Sequence, residues 1–99
     1  MLILAGNVRL APGTRAEAQA SLEAMVEASR AEPGCIAYSF GFDVLDERLL
    51  HVFEIFEDEA ALDAHRASPH MAEWRAAQSQ LGIGGRDMSE YLVSGYRKI

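Results

Sequence analysis

The chain has 99 residues, with 15 acidic and 9 basic side chains, and its formal net charge is −6. A protein of this sign repels phosphate backbones, so the composition argues against nucleic acid as a partner. The length predicts a single domain over residues 1–99 with a modest core, and the hydrophobic share of 49% leaves apolar surface for a partner subunit.

The single cysteine, Cys35, excludes an internal disulfide and predicts a reducing, cytoplasmic location. No apolar run approaches the roughly 20 residues needed to cross a bilayer, so we expect no membrane partner. The opening residues MLILAG are too short for the apolar part of a secretion signal and continue directly into a strand pattern.

The first half of the chain begins with a strand pattern over residues 2–11, which is apolar on both faces. A Pro-Gly turn follows. Thr14 and Glu17 form a capping-box pattern, and apolar residues at steps of three and four predict a helix over about 15–31. A second Pro-Gly pair ends this helix.

Residues 35–45 return as a strand, with the larger side chains on one face and small ones on the other. The polar residues 46–48 predict a hairpin loop to a third strand over 49–56. A short helical pattern then ends near His65. Ser68 suits an N-cap and Pro69 the first helical position, which predicts a further helix.

Three glycines within residues 82–85 predict a loop, with a movable lip over a pocket as the alternative. The last strand is expected over residues 88–96. The order is therefore β-α-β-β-α-β, which predicts an α+β, ferredoxin-like fold with a four-stranded antiparallel sheet and its helices on one face. Because the strands are apolar on both faces, we expect a homodimer that packs sheet against sheet.

Two polar residues are candidates for chemistry. His65 can donate and accept protons near neutral pH, and the alternative is that it only ties a helix end to the sheet. Asn7 interrupts an apolar strand, so its amide must bond either a neighbouring group or a ligand oxygen. His65 and His70 lie five residues apart, and no cysteine pair or acid cluster completes a site, so we expect no metal.

Aromatic residues are mostly assigned to the core or the subunit interface, with a subset lining a pocket for a flat aromatic ligand. Trp74 is the best pocket candidate, and core packing is its alternative. His51 and His70 also have structural alternatives, as a satisfied strand histidine and a helix-start residue. Phosphate loops and dinucleotide fingerprints are absent, so we expect no flavin, nicotinamide or haem cofactor.

Several short patterns carry a family resemblance that covers nearly the whole chain. They are Glu32-Pro33-Gly34-Cys35 followed by Tyr38, then Phe53-Glu54-Ile55-Phe56-Glu57, then Ala60, Ala61, Leu62, His65, Ser68, Pro69 and His70. The chain resembles the antibiotic biosynthesis monooxygenase (ABM) domain family, including its quinol monooxygenase-like members. The resemblance implies a dimeric α+β barrel that oxidises phenolic or quinol substrates with O₂ and without a metal, flavin or haem.

Under this resemblance, His65 accepts a phenolic proton and Asn7 hydrogen-bonds the ring oxygen, in a pocket between the sheet and the helices. The ring is held by Tyr38, Phe56 and Trp74, and the substrate-binding set also includes His51 and His70. The first alternative is a non-catalytic dimeric module that binds a small aromatic or acts in a stress response. The second is haem degradation: Asn7 matches that branch, whereas His65 and Arg75 stand where it has Trp and His.

Overall fold

The computed structural model covers residues 1–99 and contains four strands and three helices. The four strands form one antiparallel sheet in the order β2-β3-β1-β4, which confirms the α+β, ferredoxin-like arrangement. In chain order the elements are β1 (Leu2–Arg9), α1 (Arg15–Arg30), β2 (Cys35–Phe42), β3 (Leu49–Phe56), α2 (Glu59–Arg66), α3 (Pro69–Leu81) and β4 (Gly84–Leu92).

The break between α2 and α3 follows from local capping. The side chain of Ser68 accepts a hydrogen bond from the backbone N–H of Met71, and Pro69 occupies the first turn of α3. The Ser68 hydroxyl also donates to the carbonyl of His65. The predicted capping box at Thr14 is not formed, so that prediction was wrong. The Thr14 hydroxyl donates a hydrogen bond to the carbonyl of Ala11 and accepts none from a helical N–H.

The core lies between the helices and one face of the sheet. Alternate residues of the strands point into it, because successive strand side chains face opposite sides. The buried apolar cluster comprises Leu2, Leu4, Val8, Leu10, Ala18, Leu22, Met25, Tyr38, Leu50, Phe56, Leu62 and Trp74. All three helices contribute to this cluster, so they cover the same face.

Strand β2 contains a bulge at Ile36, since Cys35 pairs with Phe56 and Ala37 pairs with Ile55. The extra residue turns Ile36 outward, where it is exposed, while Cys35 and Tyr38 both pack against the core. The predicted faces of this strand were therefore wrong at its start. The strand also ends at Phe42 rather than residue 45.

The predicted glycine loop before β4 is shorter than expected. Gly82 ends α3 in a left-handed conformation, with φ 65°, and Gly84 and Gly85 already belong to β4. The strand ends at Leu92 rather than at residue 96. The movable lip proposed for 82–85 therefore reduces to one helix cap and one connecting residue.

The second face of the sheet carries no helix and is partly apolar. Among its residues, Phe53 is 42% exposed, Tyr91 is 53% exposed, and Ile36 is exposed at the bulge. We call this surface the open face.

None of the three helices has the length and apolar composition that crossing a bilayer requires.

Candidate functional site

A cavity of about 350 Å³ lies between the core face of the sheet and helix α3. Its apolar wall combines strand and helix residues, among them Val8, Tyr38, Phe40, Val52, Met71, Trp74 and Met88. The Phe40 and Trp74 rings are 5.4 Å apart between centroids. An aromatic lining of this kind suits a flat, mostly apolar ligand.

Glu54 is the acid of this cavity. It follows Leu50 and Val52 on the core face of β3, and only 7% of it is exposed. Burial raises the pKa of the Glu54 carboxyl to about 7, which the Arg86 and Arg66 guanidiniums oppose and the charge of Glu32 reinforces. Glu54 therefore changes its protonation state near neutral pH.

Three arginines stand around the same cavity, each from a different element. Arg66 ends α2, Arg75 lies on α3 and Arg86 lies on β4. The Nη2 atom of Arg75 donates a hydrogen bond to the carbonyl of Arg66 at 3.0 Å. These exposed cationic side chains surround a buried apolar interior.

His65 lies behind Glu54 and outside the cavity lining. Its Nε2 atom is 3.8 Å from Oε1 of Glu54, and its Nδ1 atom is 2.8 Å from Oε2 of Glu32. The ring packs 4.9 Å from the Phe56 centroid and 5.5 Å from that of Tyr38. The imidazole is thus buried between two carboxyl groups and two aromatic rings.

Glu32 binds both helix-borne histidines, because Nε2 of His70 lies 2.5 Å from the same Oε2 atom. A close approach between α2 and the turn after α1 makes this possible. A Cβ atom at Gly34 would collide with the side chain of Ala61, so only glycine lets α2 pack here. The N–H of Glu57 also donates to the carbonyl of Gly34, at 3.0 Å.

The same three residues provide a donor set that a divalent transition metal accepts. One ligand atom from each of Glu32, His65 and His70 lies within 4.8 Å of the others. The sequence argument against a metal overlooked Glu32, which is distant from both histidines along the chain. Both imidazoles already use the Glu32 carboxylate as a hydrogen-bond acceptor. Hydrogen bonds therefore pair these three side chains without a metal ion.

A family model described as antibiotic biosynthesis monooxygenase matches residues 1–77. The chain belongs to this family. It is 39% identical over 70 residues to Rv0793 of Mycobacterium tuberculosis, a protein proposed to be a monooxygenase, covering 71% of this chain and 68% of that protein. The solved structure of Rv0793 superposes with a TM-score of 0.73 at 31% identity, over 98% of this chain and 95% of that one.

Two further proteins extend the comparison. An uncharacterised Synechocystis protein is 37% identical over 73 residues, and this chain spans about half of its length (50%), with 74% of this chain matched. A Deinococcus radiodurans structure, proposed as an antibiotic biosynthesis monooxygenase, has a TM-score of 0.90 over 100% of this chain and 98% of that one. At 21% identity, that structure supports the fold alone.

In this ABM domain, Asn7 and His65 do not face one cavity, contrary to the sequence-based hypothesis. Asn7 pairs with His51 and with Asp87, which places its side chain on the open face. His51 lies there as well, with its side chain 51% exposed and Nε2 2.8 Å from Oδ1 of Asp43. The alternation of β1 gives the reason, since its neighbours Gly6 and Val8 face the core.

Of the remaining predicted site residues of the ABM domain, two line the cavity and two lie outside it. Tyr38 and Trp74 line the cavity. Phe56 is fully buried beside His65 and does not reach the cavity. His70 lies on the other side of Glu32, in a groove between α1 and α3. No histidine lines the cavity, so the ABM domain offers no imidazole there to a haem iron.

Sequence reasoning missed Glu54, Glu32 and the three arginines of the ABM domain. The sequence did contain a signal for Glu54. It is the one acid in the apolar run 49–56, and it lies on the same face of that strand as Leu50 and Val52. Glu32 gave none beyond its place in the Glu-Pro-Gly-Cys pattern. The arginines come from separate elements, so only the fold shows that they converge.

Proposed function

We propose that this ABM domain is a monooxygenase that oxidises a small phenolic or quinol substrate with O₂ and without a bound cofactor. The observation that carries the proposal is Glu54, a buried carboxyl at an aromatic-walled cavity whose pKa is raised to about 7. A base with a pKa near the working pH is suited to accept a phenolic proton. The resulting phenolate gives up electrons to O₂ more readily than the neutral phenol does.

The aromatic wall would position the ring. Trp74 and Phe40 offer ring faces and edges for stacking, and Tyr38 closes the wall beside Glu54. Burial raises the pKa of the Tyr38 hydroxyl above its ordinary range, with the charge of Glu54 adding to the effect. Tyr38 therefore stays neutral, and its hydroxyl lies beside Ser29 of α1. The apolar enclosure would also limit water around a reactive oxygen intermediate.

The groups behind Glu54 would act as positioning residues. His65 Nε2 lies 3.8 Å from Oε1 of Glu54, and the Glu32 carboxylate holds the far side of the ring by accepting a hydrogen bond from Nδ1. His70 continues this line of polar groups to the groove between α1 and α3. In our proposal the group that accepts the phenolic proton is therefore Glu54 and not His65.

The overall reaction balances without an added reductant. In the simplest case a hydroquinone reacts with O₂ to give a hydroxyquinone and water. One oxygen atom enters the ring as a hydroxyl group and the other leaves as water. The substrate supplies all four electrons that reduce O₂. The protein's tasks are then binding, deprotonation and shelter.

Oxygen uptake tests the proposal. A panel of one- and two-ring quinols is supplied to the protein in the presence of a metal chelator. We expect uptake above the non-enzymatic rate, reduced about 100-fold by Glu54→Gln and unchanged by Glu47→Gln, which alters an exposed loop acid. Absence of uptake across the panel, or full activity in Glu54→Gln, contradicts the proposal. Thermal stabilisation by a quinol without uptake would indicate the non-catalytic binding module instead.

We also propose that two copies pair through the open face. Support comes from its apolar residues, including Phe53 and Tyr91, which a monomer would leave in water. A symmetric pair would cover this surface with an identical one.

We also propose a reducing, cytoplasmic location, because Cys35 is a free thiol.

A further inference from the structure

We infer that the cavity binds an aromatic ligand carrying an anionic group, such as a hydroxylated aromatic carboxylate. This inference rests on the proposed function and specifies its substrate class. The chain has only 9 basic residues and a net charge of −6, yet three arginines line this one cavity. Against them the lining holds a single acid, Glu54.

The three guanidiniums have no carboxylate partner that accounts for their convergence. Arg75 donates to a backbone carbonyl, that of Arg66, and none of the three forms an ion pair within the protein. Arg66 and Arg86 act on Glu54 only through space. Cationic side chains with unused donors beside an apolar wall are a natural partner for a carboxylate.

The geometry also separates the two ends of such a ligand. The buried side of the cavity presents Glu54 and the rings of Tyr38 and Trp74, while the arginines are exposed. A hydroxyl group would therefore enter toward Glu54, and the carboxylate would remain near the guanidiniums. The reverse orientation would bring a carboxylate against Glu54, where like charges repel.

A matched pair of ligands tests this inference by calorimetry, without turnover. The probes are 6-hydroxy-2-naphthoate and its neutral amide, 6-hydroxy-2-naphthamide, which carry the two groups at opposite ends of the ring system, titrated under anaerobic conditions. We expect the carboxylate to bind at least ten-fold more tightly at low salt, with the preference reduced at 0.5 M NaCl because salt screens exposed charges. Equal affinities, or no binding of either probe at millimolar concentration, overturn the inference.

Variants locate the effect. Arg86→Met and Arg66→Met keep an apolar stem but remove the charge, and each should reduce the carboxylate preference several-fold while the amide affinity is unchanged. Arg86→Lys should restore part of it. The control is Arg97→Met, an exposed arginine outside the cavity lining. A preference that survives in both methionine variants overturns the assignment, and unaltered thermal midpoints show that the variants are folded.

The outcome is distinguishable from that of the proposed function. Selective binding of the carboxylate without oxygen uptake would remove the monooxygenase proposal and leave this inference in place. Uptake with neutral quinols and no preference for the anionic probe would do the reverse. A hydroxylated aromatic carboxylate oxidised faster than its neutral analogue would support both.

Discussion

The Nε2 atom of His65 lies 3.8 Å from Oε1 of Glu54, which is within electrostatic reach but beyond hydrogen-bond distance. The opposite ring nitrogen, Nδ1, is fixed by Glu32 at 2.8 Å. The imidazole is therefore held from one side and left free on the side that faces the cavity acid. This asymmetry leaves the Glu54 carboxyl without a hydrogen bond to the imidazole beside it.

The raised pKa of Glu54 makes the stability of the protein depend on pH. The pKa of Glu54 is about 7 in the folded protein and 4.5 for an ordinary glutamate. The contribution of this carboxyl to the free energy of unfolding is therefore fully present below pH 4.5 and is lost as pH rises through 7. Glu54→Gln removes this dependence. We expect the variant to gain up to roughly 3 kcal/mol over the wild type between pH 4.5 and pH 8, or roughly 15 °C in Tm.

Calorimetric unfolding at pH 4.5 and pH 8 measures this difference. The control is Glu47→Gln, whose exposed carboxyl should leave the pH dependence unchanged. A wild type and a Glu54→Gln variant with parallel pH profiles would show that Glu54 is ionised normally in the folded protein.

Glu32 is expected to be the stabilising centre of the histidine cluster. Glu32→Gln replaces the charged acceptor shared by His65 and His70, and we expect a loss of about 2 kcal/mol in the free energy of unfolding. The negative charge of Glu32 also raises the pKa of Glu54, so the variant should lower that pKa.

Denaturant unfolding and an NMR titration of the Glu54 carboxyl measure the two effects. Glu27→Gln, an exposed position in the last turns of α1, just before the turn that holds Glu32, is the control and should change neither. An unchanged Glu54 titration in Glu32→Gln would mean that the two carboxyls are not electrostatically coupled.

Cys35 is expected to react slowly with thiol reagents. Burial raises its pKa to about 11, and the charges of Glu32 and Glu54 act in the same direction. Little thiolate is then present at pH 8, so modification by a disulfide reagent should be at least ten-fold slower than for free cysteine. Chain unfolded in guanidinium provides the control and should react at the ordinary rate. Equally fast modification of the native protein would contradict the burial argument.

The proposed dimer should depend on Phe53. Placing a charge at the centre of an apolar contact is strongly unfavourable, so Phe53→Asp should convert a dimer to a monomer at micromolar concentration. Leu45→Asp is the control, because Leu45 is 94% exposed in the loop between β2 and β3. Light scattering that gives a monomer for the wild type, or a dimer for Phe53→Asp, would reject the open face as the interface.

Much of the fold was predictable because its signals are local. Ser68 and Pro69 marked the helix break through capping chemistry, and the apolar run 49–56 marked the third strand with its bounds. The errors occurred where a neighbour decides the outcome. The bulge at Ile36 depends on pairing with β3, and the early start of β4 depends on pairing with β1.

The candidate site was less predictable for a related reason. Tyr38 and Trp74 were proposed as pocket residues because they are aromatic, and both line the cavity. The partnership of Glu32 with His65 joins positions on different elements and leaves no spacing pattern along the chain. Asn7 was misplaced because both faces of β1 begin apolar, so its polarity alone did not show which face it occupies.

The bulge in β2 has a consequence for colloidal behaviour. This strand is at the border of the sheet, where an unbroken row of amide donors and acceptors would invite another chain to extend it. The irregular spacing at Ile36 interrupts that row. A deletion that restored the regular spacing would therefore be expected to make the protein more prone to fibrous aggregation, even with its interior intact.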